Sequence, residues 1–209
     1  RFRSVLSIFR NGQDIAQELI ATRCQRGAEI ARLLRFPESV AAGIYSLDEH
    51  FNGQGRPQGL AGEAIPLYSR IALLAQVVDV FHTAGGRQAA LDEVRGRAGG
   101  WFDPALVKVF DAVADDDAFW ATLAAPDVMS AVLALEPASH VVELDDDYLD
   151  DIAAAFGQVV DSKSPYTSGH SARVALYTDL IAETLGLAPE RRRWLKRGAL
   201  LHDVGKLGV

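Results

Sequence analysis

The amino-acid sequence predicts an all-α fold, and three observations lead to that prediction. Apolar residues return at three- and four-residue intervals along most of the chain. Glycine, proline and aspartate stand at the places where such helices would begin or end. No segment shows the strict alternation of apolar and polar residues that is typical of a half-buried strand. The sequence therefore favours a helical bundle over a domain built on a sheet.

The first half of the chain is divided into helices by residues that disfavour helix continuation. Pro37 marks the first break, because proline lacks an amide donor and restricts the residue before it. The glycine-rich stretch 52–62 is predicted to be a loop, and Gly85 and Gly86 are predicted to end the most apolar helix. Asp103 is suited to cap a helix that has proline at its first position. The predicted helices of this half span residues 13–34 (one helix or two short ones), 40–50, 65–82, 87–97 and 103–113. The expected core face of the 65–82 helix consists of Leu67, Ile71, Leu74, Ala75, Val78 and Phe81.

The second half begins with short amphipathic helices between residues 115 and 136. The acidic run 143–151 is interpreted as the start of a new helix, because carboxylates in a first turn complement the helix dipole. A divalent-ion loop is the alternative, but the run lacks the glycine and the distal glutamate of a calcium loop. Gly186 is predicted to end the next helix, and Pro189 stands at the start of the last one, which runs to about His202.

Charge and composition limit the possible partners. The formal net charge of −7 makes non-specific nucleic-acid binding unfavourable, although a local cationic pocket for a small phosphorylated ligand remains possible. Cys24 is the single cysteine, which excludes an internal disulfide and favours a reducing cytoplasm. No apolar run approaches the roughly 20 residues of a membrane helix. We therefore expect a cytoplasmic protein that contacts neither nucleic acid nor membrane directly. Trp194 is expected to be a core or interface aromatic residue.

The residues most suited to chemistry lie near the C-terminus. His170 and His202 stand on consecutive predicted helices, and Asp203 follows His202 directly. Adjacent helical residues point about 100° apart, so His202 and Asp203 reach one ion only near a helix end or where an ion lies between helices. Gly205 would end the helix at that point. Two neutral imidazoles and a carboxylate that can bridge two cations suit Fe, Mn or a similar metal. By itself, a His-Asp dipeptide is equally typical of an ordinary, partly buried histidine.

The residues around this pair resemble the first half of an HD-GYP domain, a member of the HD superfamily of metal-dependent phosphohydrolases. The resemblance rests on residues 169–174 (Gly-His-Ser-Ala-Arg-Val), a helix of about 16 residues, and residues 200–209 (Leu-Leu-His-Asp-Val-Gly-Lys-Leu-Gly-Val). It implies that His170, His202 and Asp203 are metal ligands, with Asp203 as the bridging and catalytic carboxylate. It also implies that Lys206 faces the phosphate or the attacking water; the alternative is a solvated cation at a helix end.

Two further positions refine that resemblance. Arg173 matches a family arginine, for which we favour a structural ion pair over substrate contact. Tyr166 stands where members with three metals carry a glutamate. The resemblance therefore implies a site with two divalent ions, Fe or Mn.

The middle of the chain resembles the other half of an HD-GYP domain. Residues 47–60 (Leu-Asp-Glu-His-Phe-Asn-Gly-Gln-Gly-Arg-Pro-Gln-Gly-Leu) are similar to the HHE…DGxGYP loop, and residues 69–79 are similar to the helix after it. The ligand positions of the family correspond here to Leu47, Asp48 and Gln76, and the GYP tyrosine corresponds to Arg56. Leucine cannot ligate a metal and glutamine is a poor replacement for a carboxylate, so this copy is interpreted as a retained scaffold. The neighbouring His50 is expected to be a surface residue.

The two resemblances together imply an unusual order. Residues 1–114 are predicted to be the C-terminal portion of a degenerate HD-GYP-like domain and residues 115–145 a helical connector. Residues 146–209 are predicted to be the N-terminal portion of a second, intact copy. Because the chain begins with Arg1 and stops directly after its most informative motif, we expect a fragment of a longer protein.

The resemblance implies metal-dependent hydrolysis of cyclic di-GMP in bacterial signalling, carried out by the full-length protein. In that reaction two cations would activate a water for attack on phosphorus. The fragment itself is expected to have little or no activity, and a homodimer is possible. Two alternatives stay open: a non-catalytic tandem HD module that binds a nucleotide or partner, and an HD phosphohydrolase acting on another nucleotide.

Overall fold

The computed structural model describes residues 2–136, 143–163 and 169–208, with side chains from residue 17 onward. Over these residues the chain is helical, and its extended pairing is limited to two isolated bridges, Asn52 with Ala61 and Ala98 with Phe102. The prediction of an all-α fold is confirmed. None of the described helices combines the length and apolar character needed to cross a membrane. The helices are α1 Phe2–Leu33, α2 Glu38–Tyr45, α3 Leu67–Gly96, α4 Pro104–Ala114, α5 Asp117–Leu123, α6 Val128–Leu133, α7 Asp146–Ser162, α8 His170–Thr184 and α9 Pro189–Leu201.

The chain divides into two compact units. Unit 1 consists of Arg1–Ala28 and Pro37–Val141, and unit 2 consists of Glu29–Phe36 and Val142–Val209. The boundary falls within α1, so this helix contributes its N-terminal part to unit 1 and its last turn to unit 2. The sequence boundaries proposed for two HD-GYP portions and a connector stay predictions.

The core of unit 1 is built by α3, α4 and α5. Its centre is the buried stripe of α3, together with Phe102, Phe110 and Trp120 from the segments that follow. The predicted core face of α3 is partly wrong, since Leu67 and Ile71 are 50% and 47% exposed. The helix is apolar on nearly every side between residues 71 and 81, so periodicity alone does not select one face. The buried residues of α3 are Ser69, Leu73, Leu74, Val77, Val78, Ala90, Leu91 and Val94.

Two local predictions in unit 1 have different outcomes. Asp103 caps α4 as predicted: its carboxylate accepts a hydrogen bond of 2.8 Å from the backbone N–H of Ala105. The same side chain pairs with Arg70 at 2.7 Å. The predicted helix end at Gly86, however, is a kink within α3, where this residue has φ 78° and ψ −173°. Glycine occupies this backbone conformation without the steric penalty of a side chain, so the two helical segments meet there.

Unit 2 is a three-helix arrangement in which α9 packs against both α7 and α8. Ala153, Ala175 and Leu200, one from each helix, form its small buried core. As predicted, Gly186 follows the end of α8 with φ 72°, and Pro189 opens α9. Trp194, in contrast, is not a core residue, since it is 67% exposed.

The acidic run that opens α7 serves helix formation and ion pairing. Asp145 caps the helix by accepting a hydrogen bond of 2.6 Å from the N–H of Tyr148. Asp150 lies between Arg193 and Arg197 of α9, with oxygen–nitrogen distances of 2.7 and 2.5 Å. These arginines hold the pKa of Asp150 below its ordinary value, against the opposing effect of its burial. The interpretation of the run as a helix start is therefore confirmed.

Candidate metal centre

His170 lies at the first position of α8. The preceding Gly169 has φ 68°, in the left-handed region that glycine tolerates, and its carbonyl accepts the first helical hydrogen bond, from Arg173 at 3.1 Å. The helix therefore begins with the histidine itself, whose side chain is 39% exposed. A histidine at a helix start projects beyond the packed part of the bundle and is accessible to a ligand.

His202 and Asp203 lie where α9 ends. The last residue of the helix is Leu201, His202 follows as the C-cap, and a short 3-10 helix spans Val204–Gly208. The helix ends at the position predicted from the sequence, about His202, and Gly205 lies within the short 3-10 helix that follows. This change of backbone path allows two adjacent side chains to face the same point, which a continuous helix would prevent.

The start of α8 and the end of α9 bring the three predicted ligands together. One ligand atom from each of His170, His202 and Asp203 lies within 4.8 Å of the others. The Nε2 atoms of His202 and His170 lie 3.4 and 3.9 Å from Oδ2 of Asp203. Ligand atoms that share one metal at about 2.0–2.2 Å are themselves about 3–4 Å apart, so these distances fit a common ion. Two imidazole nitrogens and one carboxylate form a donor set suited to Fe, Mn or Zn.

A backbone contact orients the His202 ring. Its Nδ1 atom lies 2.7 Å from the carbonyl oxygen of Ala199, which can only accept a hydrogen bond. Nδ1 therefore carries the proton, and in the neutral ring Nε2 has a free lone pair on the side of Asp203. This is the arrangement that metal-binding histidines commonly have, with one nitrogen fixed by the protein and the other available to the ion.

Lys206 is part of the same cluster. Its Nζ atom donates a hydrogen bond of 2.6 Å to Oδ2 of Asp203, the carboxylate oxygen nearest to both histidines. This bond lowers the pKa of Asp203 and so favours the charged form of its carboxylate. Lys163 donates from its Nζ atom to the backbone carbonyl of Lys206 at 2.7 Å and so fastens the short 3-10 helix to the end of α7. Lys206 is thus held at the site, and its predicted contact with phosphate or water stays a prediction.

The remaining predictions for this region are less constrained. The Arg173 guanidinium lies against Gly169, where a Cβ atom would be only 3.1 Å from its Nη1 atom. The structural ion pair predicted for Arg173 stays a prediction. Tyr166, the basis for expecting two metals, lies outside the described residues.

A groove between α8 and α9 has His202 in its lining. Its volume is about 560 Å³. The exposed Trp194 and Arg191 also line it, whereas the next arginine, Arg192, bonds both Asp179 and Glu183. The groove therefore offers an aromatic surface and a cation next to the candidate metal centre. Its lining residues are Val174, Thr178, Arg191, Trp194, Leu195, Gly198, Ala199 and His202.

The ligand-like positions of unit 1 have different surroundings. Asp48 pairs with Arg23 and accepts a contact of 3.5 Å from the Cys24 thiol, while Gln76 is exposed on α3. Burial, and then the Asp48 carboxylate, raise the pKa of Cys24 to about 11. In the described part of unit 1, no group of three potential ligands lies close enough to hold an ion.

Glu49 has a role that the sequence did not reveal. Its side chain is 2% exposed, and its two oxygens accept hydrogen bonds from the backbone N–H groups of Gln58, Gly59 and Leu60 at 2.6, 3.1 and 2.9 Å. The carboxylate thus fixes the glycine-rich loop from inside. Motif matching identified the position of this glutamate, but contacts nine to eleven residues away are not visible in a local pattern.

The prediction of His50 as a surface residue is wrong. Its ring stacks on Trp101 with centroids 4.2 Å apart and an angle of 19° between the planes. The Arg97 guanidinium lies 3.8 Å from the centroid of the same tryptophan. Burial, followed by the effect of Arg97, lowers the pKa of His50. The partner is 51 positions away in the chain, so its contribution to burial could not be read from the residues around His50.

Comparison with known proteins identifies the same two regions. Residues 7–106 and residues 167–209 each match an HD domain family, and the two matches together cover more than half of the chain. A 3'3'-cGAMP-specific phosphodiesterase 3 of Vibrio cholerae is 56% identical over 209 residues, which are 100% of this chain and 45% of that protein. A 3'3'-cGAMP-specific phosphodiesterase 1 of the same organism is 43% identical over 56 residues, or 27% of this chain and 13% of that protein.

A solved structure agrees with the sequence relatives. The crystal structure of a cyclic GMP-AMP specific phosphodiesterase of V. cholerae matches with a TM-score of 0.78 and 57% identity, covering 98% of this chain and 49% of that one. The chain thus spans about half the length of this structure and of the first relative. On the two family matches and this shared fold, the chain belongs to the HD-domain superfamily.

Proposed function

We propose that this chain contributes a metal-binding centre to an enzyme that hydrolyses a phosphodiester bond of a cyclic dinucleotide. The observation that carries the proposal is the convergence of His170, His202 and Asp203 within 4.8 Å inside a segment that matches the HD domain. The similarity to phosphodiesterases named for 3'3'-cGAMP supports the reaction and substrate class. An HD-GYP type of domain, in tandem with the degenerate copy, remains the finer proposal for the family.

The preferred substrate within that class is 3'3'-cGAMP, because both curated relatives carry that specificity in their names. This replaces cyclic di-GMP, which the resemblance to HD-GYP domains favoured. Cyclic di-GMP also has two purine bases and two phosphodiester bonds, and it becomes the comparison substrate in the assay below.

The residues of this chain would divide the chemistry between them. Two divalent ions, Fe or Mn, are the proposed cofactors, and such ions supply an activated water and neutralise charge on phosphoryl oxygens. His202 and His170 would supply imidazole nitrogens to the ions, and Asp203 would supply a carboxylate oxygen. Lys206 donates a hydrogen bond to that oxygen, so its positive charge lies at the cluster. This position suits it to stabilise the negative charge of a phosphoryl group during hydrolysis. The three donor atoms fill only part of two coordination shells, so we expect further ligands to be needed for turnover.

The groove beside His202 is the proposed site of one purine base. Trp194 offers a stacking surface and Arg191 a positive charge, and both line the groove. Base–aromatic stacking contributes about 1–3 kcal/mol per base when measured by alanine substitution. We therefore expect Trp194→Ala to raise KM by about tenfold with a smaller change in kcat.

The test combines metal analysis with turnover. The 209-residue chain and the complete gene product would be loaded with Mn²⁺ or Fe²⁺ and assayed on 3'3'-cGAMP and cyclic di-GMP. We expect the complete product to hydrolyse 3'3'-cGAMP faster, the 209-residue chain to show little turnover, and Asp203→Ala to lose metal and at least about 1,000-fold in rate. Asp179→Ala, which changes a carboxylate bonded to Arg192, is the matched control. Equal rates of 3'3'-cGAMP hydrolysis for the wild-type complete product and its Asp203→Ala variant would refute the catalytic proposal.

A regulatory module without catalysis is the second candidate. It is favoured by the surroundings of the ligand-like positions of unit 1, where Asp48 pairs with Arg23 and Gln76 faces solvent. Binding of a cyclic dinucleotide without turnover, in a protein that holds no metal, would support this candidate over the enzyme.

A further inference from the structure

One carboxylate outside the candidate ligand set contacts the residue that follows His170. Asp161, in the last turn of α7, is 8% exposed and faces the first turn of α8. Its two oxygens lie 3.3 and 3.2 Å from the backbone nitrogen of Ser171, and Oδ1 accepts a hydrogen bond of 2.8 Å from the Ser171 hydroxyl. Ser171, which is 1% exposed, is the residue immediately after His170.

The position of Asp161 on its own helix is electrostatically unfavourable. The C-terminal turn of a helix carries partial negative charge, so an acidic side chain there is disfavoured. The first turn of α8, in contrast, presents free amide groups and partial positive charge. The N-cap residue of α8 is Gly169, which has no side chain to accept from these amides. Asp161 supplies, from a neighbouring helix, the acceptor that a capping side chain would normally provide.

A second residue on the same face of α7 brings the three helices close together. Gly157 precedes Asp161 by four residues, and a Cβ atom at that position would lie 3.3 Å from Ser171 Cβ and 3.3 Å from the Leu200 carbonyl oxygen. Ser171 adjoins His170, and Leu200 precedes His202 by two residues. This face of α7 therefore packs against the residue that follows His170 and the residue two positions before His202.

We propose that Asp161 is a positioning residue for the metal centre: it fixes the first turn of α8 and thereby holds His170 in register with His202 and Asp203. Asp161 is not one of the three candidate ligands. Its effect on His170 would pass through its hydrogen bonds to Ser171. The predicted effect on metal binding rests on the proposed function, whereas the predicted effect on the first turn of α8 does not. Residues that orient metal ligands commonly change metal affinity by about 10–100-fold when they are replaced.

The first measurement requires no metal. Amide hydrogen exchange of the metal-free 209-residue chain would be compared for the wild type, Asp161→Ala, Asp161→Asn and Ser171→Ala. We expect Asp161→Ala to accelerate exchange at Ser171 and in the first turn of α8, with little change in the middle of α9. Asp161→Asn keeps one acceptor oxygen and should have a smaller effect, which preserves the test if the alanine variant fails to fold. Unchanged exchange in the first turn of α8 would overturn the proposal.

The second measurement separates positioning from general stability. Titration with Mn²⁺ or Co²⁺ should show affinity reduced by about 10–100-fold in Asp161→Ala and less in Asp161→Asn. Asp179→Ala, which removes one of the two α8 carboxylates that bond Arg192, should change thermal stability without changing metal affinity. Wild-type affinity in a folded Asp161→Ala variant would overturn the positioning role. If the wild type itself binds no metal, the proposed metal centre fails, and the exchange result alone decides whether Asp161 fixes α8.

Discussion

The two family-matched regions of this chain use buried or half-buried carboxylates in opposite ways. In the first, Glu49 directs both oxygens toward backbone amides of the glycine-rich loop. In the second, Asp203 directs one oxygen toward two imidazoles and a lysine. The first carboxylate has its hydrogen-bonding capacity filled by the fold, whereas the second faces side chains that can rearrange around an ion. The comparison separates a carboxylate that maintains a loop from one that is available for chemistry.

The largest expected effect is that of Glu49→Ala. Three backbone amides would lose the buried carboxylate that accepts their hydrogen bonds, so we expect the free energy of unfolding to fall by roughly 3–5 kcal/mol. Urea denaturation followed by circular dichroism would measure it. Asp48→Ala is the control one residue away; its partner Arg23 is 67% exposed, so we expect a cost of about 1 kcal/mol or less. Similar costs for both variants would show that the loop does not depend on Glu49.

The next effect concerns the Cys24 thiol. Its folded-state pKa of about 11 exceeds the ordinary value of 9.0, chiefly because of burial. The resulting contribution to stability is present below pH 9 and is lost as the pH rises toward 11. At pH 8, a thiol reagent should react at least about 100-fold more slowly with the native chain than with the urea-unfolded chain. Asp48→Ala should reduce this difference in reaction rate without abolishing it. Equal rates for the native and unfolded chains would contradict a buried, protonated thiol.

Metal binding should weaken in mild acid through the histidines. Lys206 lowers the pKa of Asp203, so any stability gained from its charge is lost only as the pH falls below about 4. Asp203 therefore stays ionised between pH 7.5 and 5.5, so a loss of affinity in this interval would come from protons that compete with the metal for imidazole nitrogens. We expect Mn²⁺ affinity to fall by at least about tenfold across this interval, measured by calorimetry while helicity is followed in parallel. A loss of affinity confined to pH below about 4.5 would assign the effect to the carboxylate instead.

The smallest expected effect is that of restoring two histidines in unit 1. The double variant Leu47→His with Asp48→His should bind no more metal than the wild type. Arg23 would face the new residue at position 48 without its carboxylate partner, and the exposed Gln76 supplies no anionic ligand. Elemental analysis after dialysis would measure the stoichiometry. An additional equivalent of metal would remove the distinction drawn between the two regions.

The sequence was most informative where the signal is local. Proline, glycine and aspartate at helix ends predicted most of the helices, and the resemblance to an HD-GYP domain implied that His170, His202 and Asp203 would share a site. Contacts between distant segments were not predictable in this way. The stacking of His50 on Trp101 joins two separate turns, and the bonds from Asp161 to Ser171 join two helices.

A different limit applies to helix faces and to exposed aromatics. Ile71 was assigned to the core because its spacing suits one face of α3, yet its neighbours are apolar on the other faces as well. Trp194 is apolar enough for a core position, but α9 places it beside the groove that adjoins His202. In both cases tertiary packing decides between faces that the sequence leaves equivalent.

The internal clamp on the glycine-rich loop has an evolutionary consequence. Because Glu49 holds residues 58–60 through their backbone, these three contacts do not involve the side chains at 47, 48 and 76. Substitutions at those three positions could accumulate by neutral drift, one at a time, without unfolding the domain. A domain released from catalytic selection would then lose its ligands first and its architecture last.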